Sequence, residues 1–266
     1  MSIIQFSHAN GFPAKTYSVL FEHLKDHTIS AIDNLAENRV PPEINWHDLT
    51  DDILESVGKF KEPVIGVGHS LGGMLTLLAA AKKPDIFQTI ILLDPPLFSL
   101  NKRRLISLLR ALHVEDLFGP SGKSKKRRVN FASKKDAYTY FKAKKMFTNF
   151  HHQALQDYVE HGLTAVKQGL ELKIPVEKEV AIFHNLLLSY PRSINKVRGT
   201  LFYAVNNPIL GSSDLHWIKR KIPEIQVNAF PGMYFFPMKN TESTANLTNR
   251  CIELIVFQFI NNSFSN

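Results

Sequence analysis

Gly68-His69-Ser70-Leu71-Gly72 is the stretch of this chain in which residue types and spacing together specify a reaction centre. It matches G-x-S-x-G, the pattern of a serine placed on a sharp turn between a strand and a helix. Such a turn needs glycines on both sides, because the backbone bends where a side chain would clash. It exposes the serine hydroxyl as a nucleophile, aims the N-terminus of the following helix at it, and leaves the Leu71 N–H free to hold an oxyanion. The five residues gain meaning from their flanks. Val64-Ile65-Gly66-Val67 before them is a short β-branched strand, and Met74 to Lys83 after them is an apolar helix that stops at Pro84.

No other stretch competes for chemistry. His151-His152 are adjacent and diverge on a helix, and no H-x-x-x-H or paired carboxylate accompanies them, so no metal is expected. No phosphate-binding glycine loop follows a strand, so no cofactor is expected either. The single cysteine, Cys251, excludes an intrachain disulfide and a cysteine-cluster zinc site. With Leu247, Leu254 and Ile255 it falls on the apolar stripe of the last helix, which predicts a core thiol. Trp46 and Trp217 are expected to anchor helices.

The elements that must carry the serine alternate along the chain. Ile3–Ser7 reads as a strand, 8–14 as a loop, Tyr17–Leu24 as a helix and Thr28–Ile32 as a strand. Trp46–Phe60 has its apolar residues on one helical face, and Thr89–Leu93 is a continuous apolar strand that ends at Asp94-Pro95-Pro96. Fully apolar strands separated by helices imply a mostly parallel, doubly wound α/β sheet covered on both faces. From about Leu97 to Lys196 helical patterns dominate and no strand stands out. Strands resume at Val197–Val205 and Ile225–Phe230, and Thr241–Ile260 closes the chain as a helix. The organisation implied is a sheet core formed by 1–96 and 197–266, interrupted by a helical cap over 97–196.

At this point the chain resembles the α/β-hydrolases, which place an oxyanion loop after an early strand and a nucleophile elbow two elements later. His8-Ala9-Asn10-Gly11-Phe12-Pro13 is similar to the first, and Gly68 to Gly73 to the second. The likeness is closest to a bacterial branch with an F-x-H-A-N-G-F-P-A start, matched by Phe6 to Ala14, and with a helical cap, resembled by Ala137 to Gly162. The resemblance implies hydrolysis of a carboxylic ester or thioester on a small acyl substrate. It assigns Ser70 as nucleophile. The backbone N–H groups of Leu71 and of Phe12, or of a neighbour in the Asn10–Phe12 turn, become the oxyanion hole. His8, Asn10 and Gly11 shape the loop, and His69 is structural.

The acid and the base depart from that pattern. The family's histidine follows the last strand, where this chain reads Pro231-Gly232-Met233-Tyr234-Phe235-Phe236-Pro237, so Tyr234 stands at its place. All eleven histidines lie at or before His216. The family's acid position after the preceding strand falls on Asn206-Asn207-Pro208, with Asp214 further on. Asp94 is the other candidate acid, or else a cap on the Pro95-Pro96 turn. Three outcomes are open: a cap histidine (His151, His152, His161 or His184) serves Ser70, turnover is weak, or the fold binds a ligand without turning it over.

The charge is local. Among the 266 residues the formal net charge is +8, yet residues 101–145 alone hold fourteen Lys or Arg against Glu115, Asp116 and Asp136, which leaves the rest of the chain slightly acidic. The sharpest cluster is Lys123, Lys125, Lys126, Arg127 and Arg128. Lysines on solvated helix faces are the plainer reading, with an acidic carrier protein as the partner such a surface would suit. No nucleic-acid motif accompanies it, so no specific nucleic acid is expected. Pro63 to Ala81 has nineteen residues without a charge, but its strand–turn–helix grammar excludes a membrane span. No secretory signal opens the sequence, so the expectation is a cytoplasmic protein.

Overall fold

The computed structural model describes residues 1–206 and 209–263, without the side chains of Phe118 and residues 255–263. The core runs β1 (Ile3–Ser7), α1 (Ser18–Glu22), β2 (Thr28–Ala31), α2 (Trp46–Val57), β3 (Val64–His69), α3 (Leu71–Lys82) and β4 (Phe87–Leu93). The insert follows as α4 (Leu100–Ala111), α5 (Glu115–Phe118), α6 (Pro120–Ser124), β5 (Asn130–Phe131), α7 (Lys134–Lys142), α8 (His152–His161), β6 (Leu163–Val166), β7 (Gly169–Leu172) and α9 (Val176–His184). The core then resumes with β8 (Gly199–Asn206), α10 (Ser212–Lys221), β9 (Ile225–Met233), α11 (Phe236–Lys239) and α12 (Thr241–Ser263).

Six strands form one parallel sheet in the order β2-β1-β3-β4-β8-β9. Every residue of β3 is buried, which is why its sequence is apolar rather than alternating. Local signals fix the flanking helices. Asn45 caps α2, its side chain accepting from the N–H groups of His47 at 3.1 Å and Asp48 at 3.0 Å, and Trp46, Leu49, Ile53, Leu54 and Val57 turn inward. The strand order reverses between β1 and β3, so the loops leaving these two strands open a crevice at their carboxyl ends, where ligands of open α/β sheets bind.

The insert corrects one expectation. It contains a three-stranded antiparallel sheet, β5-β7-β6, where the sequence predicts no strand. The strands are only two to four residues long. The β6–β7 turn, Lys167-Gln168, lacks the usual hairpin residues, and Gly169 takes the left-handed position at φ +97°. Two smaller shifts have local causes. The first helix begins as a 3-10 turn over Ala14–Tyr17. β9 continues through Pro231 to Met233, which its place at the sheet edge permits. Insert and core share one apolar cluster in which Phe141, Phe147 and Tyr158 join Phe6, Phe12 and Phe202.

Trp46 does anchor its helix, donating from Nε1 to the Ile182 carbonyl at 2.9 Å. Trp217 packs on Tyr190, with ring centres 5.8 Å apart. Cys251 is a free, half-buried thiol packed against the core beside Leu247. Leu254 does not belong to that stripe, being 64% exposed, and the Ile255 side chain lies outside the described residues. Among the described residues no helix is long and apolar enough to cross a membrane, and no group of three His, Cys, Asp or Glu is placed to hold a metal.

Candidate active site

The elbow forms because two glycines let three backbones meet. A Cβ on Gly68 would lie 2.4 Å from the Gly72 carbonyl oxygen, and one on Gly72 would lie 2.0 Å from that of Ser7. The Gly72 N–H then donates to the His8 carbonyl at 3.1 Å, and the Ser70 N–H to the Leu93 carbonyl at 2.9 Å. This pins the turn between β1 and β4. Ser70 is held at φ +52°, ψ −118°, a conformation that costs a non-glycine residue about 1–3 kcal/mol and persists only where packing enforces it. The residue is 8% exposed. Leu71 opens α3, so its N–H has no acceptor within the helix.

Tyr234 reaches this serine. Its hydroxyl donates to Ser70 Oγ in a short hydrogen bond. Among the described residues no imidazole or carboxylate does so. Burial pushes the Tyr234 phenol well above its ordinary value, with the Asp94 charge adding to the effect. The backbone under Tyr234 is set by a relay of buried groups. The Ala9 N–H donates to Tyr17 Oη at 3.1 Å, Tyr17 Oη donates to His69 Nδ1 at 2.7 Å, and His69 Nε2 donates to the Tyr234 carbonyl at 3.2 Å. The relay fixes the His69 tautomer. Both ring nitrogens are used, and burial pushes His69 down to about 3, so it is neutral and structural.

The candidate acids part company. Asp94 directly follows β4 at φ +49°, is 0% exposed, and neither carboxylate oxygen has a hydrogen-bond partner among the described residues. The Ala204 N–H is close enough to favour the ionised form, but burial dominates and pushes Asp94 up to about 7. Asp214 is structural instead. It accepts from the N–H groups of Ser99 at 2.8 Å and Gly211 at 3.0 Å and pairs with Lys102 at 3.1 Å. Asn207 lies outside the described residues. Nor do the cap histidines turn to the serine: His184 bonds Asp116 at 2.8 Å, His152 packs on Tyr138, His161 lines a groove with Lys15 and Asp33, and His151 is exposed.

The loop after β1 is shaped from both sides. His8 Nδ1 donates to the Ala9 carbonyl and Nε2 accepts the Leu35 N–H, both at 2.8 Å. Burial lowers His8 to about 4. Gly11 adopts φ +79°. The Phe12 N–H, expected with a neighbour in its turn as the alternative for the oxyanion hole, donates to the Ala9 carbonyl at 3.1 Å and closes the turn, whereas the Asn10 and Gly11 N–H groups have no acceptor among the described residues.

Four residues that the sequence did not mark as part of the site hold this loop from the insert. Asn10 Nδ2 donates to the Glu179 carbonyl at 2.9 Å. The Glu179 carboxylate lies over Gly11, bonded on one oxygen by Ser124 at 2.6 Å and on the other by Arg127. Arg127 also donates to Tyr158 Oη at 2.6 Å, and the Tyr158 ring packs 5.0 Å from Phe12. Arg127, read from the sequence as one of a solvated cluster, is therefore a half-buried ion-pair partner of the buried Glu179. Only the 169-residue separation of Asn10 from Glu179 explains why no local signal announced the arrangement.

The fold and the elbow place the chain in a family. It matches the model of the Alpha/beta hydrolase family over residues 6–188, and it belongs to that family. Curated relatives are distant. A type I acyl-CoA thioesterase of Penicillium brevicompactum is 28% identical over 34% of this chain, and peroxisomal membrane protein LPX1 of Saccharomyces cerevisiae is 26% identical over 61%. The chain spans about a quarter of the length of the thioesterase and 44% of that of LPX1. Among solved structures, an E-2-(acetamidomethylene)succinate hydrolase aligns with a TM-score of 0.76 at 19% identity, covering 95% of this chain and 91% of that one. The thioesterase domain of a curacin biosynthetic pathway aligns at 0.73 and 14%, covering 92% and 90%.

Proposed function

We propose that the protein cleaves a carboxylic ester or thioester of a small acyl substrate through Ser70, and does so slowly. The observation that carries this reading is the elbow itself. Ser70 is held in a strained left-handed conformation at the N-terminus of α3, beside a free Leu71 N–H. In the reaction Ser70 Oγ attacks the carbonyl carbon and loses its proton to solvent water, and the resulting oxyanion is held by the N–H groups of Leu71 and of the Asn10-Gly11 turn. Such a hole contributes about 3–4 kcal/mol per donor. Collapse of the oxyanion breaks the ester or thioester bond and releases the alcohol or thiol, which takes up a proton from water, and a second water then cleaves the acyl-Ser70 bond to free the acid and restore the hydroxyl. The names of the thioesterase relatives support an acyl substrate.

The slowness follows from Tyr234. A phenol raised above its usual value stays protonated at neutral pH and cannot accept the serine proton. Losing a triad member costs roughly 10⁴- to 10⁶-fold in turnover, and the remaining machinery retains ~10³-fold over water. The same bond favours a second reading, a protein that binds an acyl ligand without turning it over. Labelling with a fluorophosphonate separates the two. Slow labelling of Ser70 that Ser70→Ala abolishes, with faster labelling in Tyr234→His, supports the hydrolase. Absence of labelling in every variant, with no esterase activity above Ser70→Ala, sinks it. Tyr234→Phe adds a check, since it removes the bond to Ser70 without supplying a base.

A further inference from the structure

The insert carries a helix that is inside out. On α4 the charged Arg103 is buried, its guanidinium 4.2 Å from the Tyr190 ring centre and 5.2 Å from that of Trp217, and donating to the Phe98 and Leu188 carbonyls. Leu105, Leu108 and Leu112 on and just after the same helix are 55%, 54% and 61% exposed. Steps of three and four residues put these leucines on one stripe. Arg103, anchored at four points, fixes which face looks inward. Leu117, 76% exposed, extends the apolar surface past the helix end.

We propose that this face docks on an anionic lipid surface. The leucines stand on the outer side of a convex helix, a shape that enters a bilayer interface and does not need a pocket in a partner. Their rim is basic. Arg104 is exposed on α4, and α6, which packs on α5, presents Lys123 and leads into exposed Lys125 and Lys126. Lys125 pairs with Asp116, the neighbour of Leu117, so the lysine loop borders the apolar surface. Positive charge around exposed leucines suits acidic headgroups, whereas a second copy of the chain would set like charges against each other. The lysine loop at the rim of this face also reaches the oxyanion turn, since Arg127 follows Lys126 and bonds Glu179.

The test is co-sedimentation of the full chain with phosphatidylcholine vesicles containing about 30 mol% phosphatidylserine, against phosphatidylcholine alone. The wild type should partition onto the anionic vesicles, and raising the salt to about 0.5 M should weaken it. Both Leu105→Ser/Leu108→Ser/Leu112→Ser and Lys123→Glu/Lys126→Glu should bind roughly tenfold less, while Ser70→Ala binds like wild type. Should the serine variant melt below wild type, the triple alanine variant replaces it. No binding to anionic vesicles, or equal binding by the leucine variants, overturns the proposal. So does a dimer, or a complex with an acidic carrier protein, that the leucine substitutions dissolve in place of vesicle binding.

Discussion

Asp94→Asn should make the stability of the protein less dependent on pH, with a sign that can be worked out in advance. Asp94 is fully buried and neither oxygen finds a hydrogen-bond donor of good geometry. Burial therefore raises it from 3.8 in the free residue to about 7 in the fold. In the unfolded chain the carboxyl ionises near 3.8, while in the folded protein it keeps its proton to about 7. Its contribution to stability is complete below the lower value and is lost as the pH rises through the upper one. A gap of about three pH units, at about 1.4 kcal/mol each, amounts to roughly 4 kcal/mol lost above neutrality. Asparagine carries a desolvation cost of its own, but that cost does not vary with pH.

The measurement is therefore a difference of slopes. Urea unfolding of wild type and Asp94→Asn between about pH 5 and 8 should show the variant gaining roughly 2–3 kcal/mol relative to wild type across that range. Histidine titrations are common to both proteins and cancel. A difference that stays constant with pH would refute the reasoning. It would mean that Asp94 is ionised and stabilised in the fold, as a working triad acid would be.

Three further outcomes follow from the contacts around the site. Glu179→Gln removes the charge partner of the half-buried Arg127 and should cost about 1–3 kcal/mol in chemical denaturation, whereas an exposed pair such as Lys134–Glu160 should cost about 1 kcal/mol or less. Tyr17→Phe leaves the Ala9 N–H and His69 Nδ1 unpaired, a loss of about 1–3 kcal/mol for each, and should speed hydrogen exchange in the loop that carries Tyr234. Gly72→Ala drives a methyl group into the Ser7 carbonyl, so it should lower the melting temperature and abolish labelling of Ser70 together.

What could be read in the sequence was what the chain decides locally. β3, the elbow and α3 follow from β-branched residues, two glycines and an apolar helix within twenty positions, and the structure places them accordingly. The β6–β7 hairpin escaped because its strands are four residues each and its turn has no glycine or asparagine at the central positions. Contacts across the chain escaped for a different reason. Tyr17 and His69 are 52 residues apart, so nothing in either neighbourhood shows that they meet, and Tyr234 was set beside Ser70, 164 positions away, only by the family resemblance and not by any local signal. The inverted face of α4 was hidden as well. Leucines at helical spacing predict a buried stripe, and only the burial of Arg103 between two aromatic rings turns that stripe outward.

On the proposed reading Tyr234 stands where the family resemblance puts a histidine, and its contact with Ser70 has the opposite polarity. A histidine at the end of β9 would accept the Ser70 proton, leaving the oxygen lone pairs free to attack. Tyr234 donates its own proton to Ser70 Oγ and occupies one of those lone pairs. His69 cannot take over, because both its nitrogens are engaged and protonating it in its buried position is unfavourable. Asp94 cannot polarise a phenol to which it makes no hydrogen bond, and its own charge is half suppressed near neutrality. The relay from Ala9 through Tyr17 and His69 nevertheless fixes the Tyr234 backbone as firmly as a catalytic residue would require. On the proposed serine-hydrolase reading, the loop that would carry a base is already held in place and only the proton acceptor is absent, so raising activity calls for a side chain that accepts a proton at position 234 more than for any rearrangement of the loop around it.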